Sequence, residues 1–330
     1  MKENKMKNET SSEIPELDIS FKDDVKENSL HTIGFIKEIE KQDNNFFNST
    51  IHCLTNICPL VSLILATKDS NHPFIILLEQ IQEESKKKKD EIDISDIEYC
   101  LMKLKENMGI KYHKVVNNPK TLINYILKDF QESNLITQGN LKELKIICKS
   151  CENKSMDDVK IIEFNFPKII NNYINKKNNI TIYDCFQYYF KSLFLDPFIC
   201  DICHQPNKSS GIIFLPKILM IFLDFGNKNN YNISYEFDEI INFKEFDFIN
   251  NEDKNREFFL SSIIACKNLG DYFETYYTFA RDNEASLYYI YNGNDVRGNM
   301  KVTNKIKKKE INLKNKKESW PFVLVYIDKN

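Results

Sequence analysis

The chain has no long apolar run, little net charge, few glycines and few histidines. Its longest apolar stretch, Gly211 to Phe225, is interrupted by Pro216, Lys217 and Asp224. That is shorter than the ~20 residues a membrane helix needs, so no bilayer span is expected. Residues Met1 to Thr10 are polar and lack the apolar centre of a secretory signal. The expected compartment is therefore cytoplasmic or nuclear. A formal net charge of −3 argues against a nucleic-acid partner, which would call for a basic field. The eight glycines stand beside abundant Lys, Asn and Ile, a genome-composition pattern that carries no functional weight. There is no internal repeat. The five histidines are His31, His52, His72, His113 and His204, so no imidazole follows position 204.

What is present is a chain of 330 residues, 42% hydrophobic and 12% aromatic, the composition of a globular protein with a real core. Residues 1–29 are charged and poor in aromatics and are expected to form a disordered tail. From Asn44 to about Ser133 the pattern is helical. Phe47, Ile51, Leu54 and Cys58 recur at helical spacing, with Asn44, Asn45 and Asn48 as candidate caps and Pro59 as the terminator. Helices are also expected from Phe74 to Ile81 and from Leu122 to Phe130, with a solvated loop from Ser85 to Asp90. From Leu141 onward strands dominate: Lys160–Phe166, a buried central strand Leu219–Phe225, then Phe258–Cys266, Tyr276–Arg281, Leu287–Tyr291 and Trp320–Tyr326. The Lys/Asn-rich Lys301–Lys317 reads as a solvated loop.

Nine cysteines in a reducing compartment point to thiols or metal ligands rather than disulfides. Cys148-Lys149-Ser150-Cys151 and Cys200-Asp201-Ile202-Cys203 are two CxxC knuckles. Each donates two sulfurs from one tight turn, so together they can supply the four tetrahedral thiolates of a structural Zn2+ site. A redox dithiol would account for one pair but not naturally for two. His204 adjoins the second pair, but four sulfurs already fill the shell.

Around these pairs the chain resembles the ubiquitin-specific proteases from about Ile33 to Asn330. Asn45-Phe46-Phe47-Asn48-Ser49, followed by Cys53-Leu54, is similar to that family's Cys-Tyr-Met-Asn-Ser-x-x-x-Cys-Leu nucleophile helix. Thr181-Ile182-Tyr183-Asp184-Cys185-Phe186 resembles its Thr-Leu-x-Asp-Cys-Leu segment. Leu215-Pro216-Lys217-Ile218-Leu219 resembles its Leu-Pro-x-Val-Leu strand, and Pro321 to Tyr326 its last strand. The order and number of the pieces carry the resemblance. It implies an α+β, papain-like cysteine-protease fold spanning 30–330: a helical thumb over about 30–138, zinc-ribbon fingers over about 139–210, and an antiparallel β palm over about 211–330. It also implies ubiquitin or a ubiquitin-like protein as partner, and a larger protein complex as a further possibility, with neither nucleic acid nor membrane involved.

The resemblance further implies that the catalytic machinery has been replaced. The catalytic Cys position is Asn45, and an amide cannot form a thiolate. The base position in Thr275-Tyr276-Tyr277-Thr278 is Tyr276, a phenol of pKa ~10 and a poor base at neutral pH. The absence of any His after position 204 agrees with this without an alignment. Asn292 stands at the orienting position, or is simply a turn residue in Asn292-Gly293. Glu40 replaces the amide donor of the oxyanion site, where a carboxylate would repel developing charge. The expected function is a catalytically dead ubiquitin-binding or scaffold protein. Two alternatives stay open: an active thiol hydrolase with a displaced nucleophile, Cys53 or Cys266, and a structural zinc-ribbon subunit of a complex such as the splicing machinery.

Overall fold

In the computed structural model the described residues are 45–65, 71–86, 99–100, 102–104, 106, 118–131, 144–148, 154–159, 162–173, 179–193, 198–199, 204, 206–207, 211–224, 234–247, 249–268, 274–281, 287–292, 305–307 and 319–329. The N-terminal tail lies outside them.

The first half is helical: α1 (Asn45–Thr55), α2 (Cys58–Leu65), α3 (Pro73–Lys86) and α4 (Pro119–Gln131). Their boundaries follow from local chemistry. Helix α1 stops at Thr55, earlier than the apolar spacing predicts, and closes with bonds three residues back, from Asn56 N to Cys53 O and Ile57 N to Leu54 O. Pro59 then sits in the first turn of α2, where a missing N–H costs nothing, so it opens a helix instead of ending one. The Ile57 carbonyl accepts the first bond of α2, from Val61 N. His72 precedes α3, and its Nδ1 accepts from Phe74 N at 3.1 Å. Asn118 caps α4, its Oδ1 accepting from Thr121 N at 3.0 Å, with Pro119 in the first helical position. Helix α3 also takes in Ser85 and Lys86, the start of the expected loop.

The second half builds a large sheet of eight strands in the order β14-β13-β12-β11-β15-β8-β3, with β10 beside β11. These are β3 (Ile162–Asn165), β8 (Ile218–Asp224), β10 (Ile240–Asn242), β11 (Glu257–Asn268), β12 (Glu274–Arg281), β13 (Leu287–Asn292), β14 (Lys305–Lys307) and β15 (Ser319–Asp328). Within this sheet, among the described residues, β3 and β8 are the pair that runs parallel. Every residue of β8 up to Leu223 is buried, as expected of a strand covered on both faces. The short β14 lies inside the Lys-rich stretch read as loop. The strand predicted over Lys160–Phe166 ends at Asn165, because Asn165 Oδ1 caps the following helix at Lys168 N. That helix is α5 (Phe166–Tyr173).

Helix α6 (Ile182–Leu193) opens on a capping box. Thr181 N donates to Asp184 Oδ2 at 3.0 Å, and Asp184 N donates to Thr181 Oγ1 at 3.3 Å. Its buried stripe Ile182, Cys185, Phe186, Phe190 faces an aromatic core. The Phe186 ring meets Phe164 edge-on at 5.1 Å and Phe243 at 4.9 Å. Such pairs contribute ~0.5–1.5 kcal/mol each beyond burial.

A small sheet, in the order β2-β1-β7, stands apart: β1 (Leu144–Cys148), β2 (Lys154–Val159) and β7 (Gly211–Phe214). Two short ladders complete the fold, β4 (Asn179–Thr181) with β9 (Ser234–Glu236) and β5 (Phe198–Ile199) with β6 (Pro206–Asn207). A one-turn helix, α7 (Asn251–Lys254), precedes β11. No helix among the described residues is long and apolar enough to cross a membrane.

Helix α1 is buried on every side, from Phe46 through Thr55, and touches β11, β12, β13, α2 and α4. Burial holds His52 neutral, its pKa lowered to about 3. The unfolded chain binds this proton near pH 6.5 and the folded chain only near 3, so His52 contributes stability that is lost as pH falls through that window. Urea unfolding between pH 6.5 and 5, above the main carboxylate range, should show stability falling with pH. The slope should be shallower in His52→Gln.

Candidate functional site

The chemistry expected from the sequence falls where α1 meets the large sheet. The tie between them is a buried hydrogen bond: Thr278 Oγ1, on β12, donates to the Ser49 carbonyl of α1 at 2.6 Å. Ser49 O lies inside the helix, where its second lone pair is free for such a donor. The Ser49 hydroxyl itself finds no partner among the described residues.

This tie fixes the neighbourhood of the three triad-equivalent positions. Asn45 is the first residue of α1, one turn (~5.4 Å) before Ser49. Tyr276 is two residues before Thr278 on β12 and pairs with Cys266 of β11. Asn292 ends β13 and pairs with Tyr277. The backbone register thus sets positions 276 and 292 on adjoining strands and sets the helix bearing Asn45 against them. The side chains of Asn45, Tyr276 and Asn292 lie outside the described residues, as does Glu40.

The two candidate displaced nucleophiles are described, and both are buried. Cys53 packs beside Ser262 of β11. Desolvation pushes its thiol up to about 12, and the Ser262 hydroxyl only partly opposes that shift. The imidazole next in sequence, His52, sits at about 3. Moving a proton from a thiol of 12 to a base of 3 is steeply uphill, and consecutive helical residues do not face each other. Cys266 has no exposed surface. Neither thiol sits in the partly exposed, electropositive setting that reactive cysteines need. Cys185, on α6, is also buried and its thiol raised well above the ordinary value.

Of the expected metal ligands, Cys148 ends β1 opposite Gly211 of β7. Its side chain, and the whole of Cys151, Cys200 and Cys203, lie outside the described residues. His204 is described. It is exposed and takes a left-handed backbone, φ 51°, uncommon for a residue other than glycine.

No protein-family profile matches the chain, and no curated protein matches it. Solved structures do. A chain of the SAGA DUB module Ubp8/Sgf11/Sus1/Sgf73 bound to monoubiquitin superposes with a TM-score of 0.58 at 16% identity, covering 93% of this chain and 71% of that one. The fold is similar to that of a ubiquitin-specific protease. The same module bound to ubiquitin aldehyde gives a TM-score of 0.56 at 15% identity, over 93% and 71% of the two chains. The yeast module with an Sgf73 variant gives 0.56 at 15%, over 93% and 70%. At this identity the likeness is one of fold.

Sequence reasoning did not find the Thr278–Ser49 tie or the neutral His52, because both depend on elements far apart in the chain. Thr278 could have been flagged as a polar residue set between the aromatics Tyr277 and Phe279. Buried as it is, Cys53 should resist iodoacetamide at pH 8 in the native protein and react after urea unfolding, as peptide mass spectrometry would read. Native labelling at Cys53 would restore it as a candidate nucleophile.

Proposed function

We propose that this chain is a catalytically silent protein of ubiquitin-specific-protease type, which binds ubiquitin or a ubiquitin-like protein without cleaving it. The observation that carries the reading is the pair of residues at the corner between α1 and β12. Position 45 opens a helix, where N–H donors and the helix dipole would lower a thiol's pKa, but it is Asn. Position 276, on the strand tied to that helix, is Tyr. An amide and a phenol cannot replace a thiolate and an imidazole in nucleophilic catalysis. Asn292 then has no imidazole to orient, and Glu40 would oppose rather than stabilise an oxyanion.

Binding is supported by the similar structures, which are complexes with monoubiquitin and with ubiquitin aldehyde and contain further subunits. In this reading the helical half is the thumb, the small sheet and the β5–β6 hairpin are the fingers, and the large sheet is the palm. Ubiquitin would rest between fingers and palm.

A structural Zn2+ held by Cys148, Cys151, Cys200 and Cys203 completes the reading. Its support is the symmetry of the two hairpins. Positions 148–153 separate the paired Ile147 and Lys154, and positions 200–205 separate the paired Ile199 and Pro206. Both spans are six residues long, and each has Cys at its first and fourth positions. Gly211, the partner of Cys148, comes four residues after Asn207 at the end of β6, a reach of at most ~14 Å. Bound there, zinc would supply folding energy directly.

Titration calorimetry of the purified chain with monoubiquitin should show saturable binding, while a fluorogenic ubiquitin substrate should show no turnover above a blank. Turnover abolished by an alkylating agent would favour the displaced-nucleophile alternative. Absence of binding together with bound zinc would favour a purely structural subunit. Metal analysis should find about one zinc per chain, and Cys148→Ser should lower that content and the melting temperature together. Intact protein with far less than one equivalent would overturn the four-cysteine assignment.

A further inference from the structure

One of the two links between the small sheet and the large one is gripped by one side chain. Strand β7 ends at Phe214 and β8 begins at Ile218, so Leu215, Pro216 and Lys217 join them, while positions 160–161 join β2 to β3. Arg256, between α7 and β11, donates Nη1 to the Leu215 carbonyl at 2.8 Å and Nη2 to the Pro216 carbonyl at 3.0 Å. The same guanidinium donates Nη1 to Asp253 Oδ1 at 2.7 Å and Nε to Asp328 Oδ2 at 2.8 Å. Asp253 closes the ring by accepting from Leu215 N through Oδ2 at 2.8 Å. The guanidinium lies over the Phe258 ring, 4.8 Å from its centroid. Backbone bonds flank the grip on both sides, Asn250 N to Ile213 O and Asp328 N to Lys217 O, each at 2.9 Å.

The choice of arginine is informative. Only three of the 45 basic residues are Arg, namely Arg256, Arg281 and Arg297, in a chain that otherwise uses Lys throughout. A lysine ammonium is a point donor and cannot span two carboxylates and two carbonyls at once, whereas the planar guanidinium fork can. The pairs are mostly buried, so they are little screened by water. No step of the proposed binding reading calls on Arg256, and it lies well away in sequence from every triad-equivalent position.

We infer that Arg256 is a positioning residue that fixes the angle at which the small sheet leaves the large one. It does so by fastening both carbonyls of the connection to α7 through Asp253 and to the end of β15 through Asp328. A rigid angle presents a preformed surface between the two sheets, and a preformed surface spares a partner the cost of ordering it. That last consequence rests on the binding function proposed above; the fixed angle does not.

The test measures the angle directly. Spin labels carried by non-cysteine unnatural residues at Lys154 on β2 and at the exposed Lys191 on α6 report the distance between the small sheet and the body of the large one. The unsubstituted chain should give one narrow distance distribution. Arg256→Lys, which keeps the charge but not the fork, should broaden it, while urea unfolding followed on the core tyrosines shows the large sheet still cooperative. Should Arg256→Lys fail to fold, Asp328→Ala serves in its place. It leaves Arg256 on Leu215, Pro216 and Asp253 but removes the side-chain acceptor on β15, and it should broaden the distribution in the same way. Where the unsubstituted chain binds monoubiquitin, the variant should bind about tenfold more weakly, as lost preorganisation requires. Where it does not, the binding proposal fails and the distance measurement alone decides the role of Arg256. A distribution as narrow in the folded variant as in the unsubstituted chain would overturn the inference.

Discussion

A helix with no solvent-facing side must satisfy its own polar atoms, and α1 is such a helix. Asn48, Ser49, Thr50, His52 and Thr55 all lie inside it, and Asn56 follows directly. An unpaired buried polar group costs about 1–3 kcal/mol, so several at once would outweigh much of a domain's net stability. The helix meets this largely by bonding back to its own carbonyls. Thr50 Oγ1 reaches Phe46 O at 2.7 Å, and Asn56 Nδ2 reaches His52 O at 2.6 Å. Thr278 supplies the donor that joins the helix to the sheet. The arrangement of the helical half against the strands depends on these bonds being made together.

The same dryness shapes the chemistry. It raises the Cys53 thiol and suppresses the His52 imidazole, so these two adjacent residues are inert neighbours in the fold. In the function proposed above the place for chemistry is the N-terminal end of α1, and there the chain carries an amide. A fold of protease type therefore does not by itself make this chain a protease.

How much was legible in the sequence varied with the range of the interaction. Strands β8, β11 and β15 were readable because long apolar runs bury on both faces, whatever their partners. Boundaries were misplaced where one residue has two meanings. Pro59 ends helices but also starts them, and Asn165 continues an alternating strand yet caps a helix. The three residues of β14 sat within lysines and asparagines that gave no strand signal; only pairing with Leu287–Tyr289 makes them a strand. At the candidate site, positions 45, 276 and 292 belong to α1, β12 and β13, and their side chains lie outside the described residues. The grip of Arg256 was invisible, since its partners come from three separate segments, although the rarity of arginine in this chain was a signal that could have been followed.

Strand order also carries a consequence in time. β15, residues 319–328, lies between β8 and β11, with Leu324 opposite both Ile221 and Ile263. Until those residues are available the large sheet exists only as two separate pieces, β3–β8 on one side and β10 through β14 on the other, each with an apolar open edge. Contacts spanning about a hundred residues close late, since loop closure must precede them. A ribosome making this chain holds two unpaired edges until nearly the last codons of the described strand have been read, and in that interval the nascent protein is most open to pairing with the wrong neighbour.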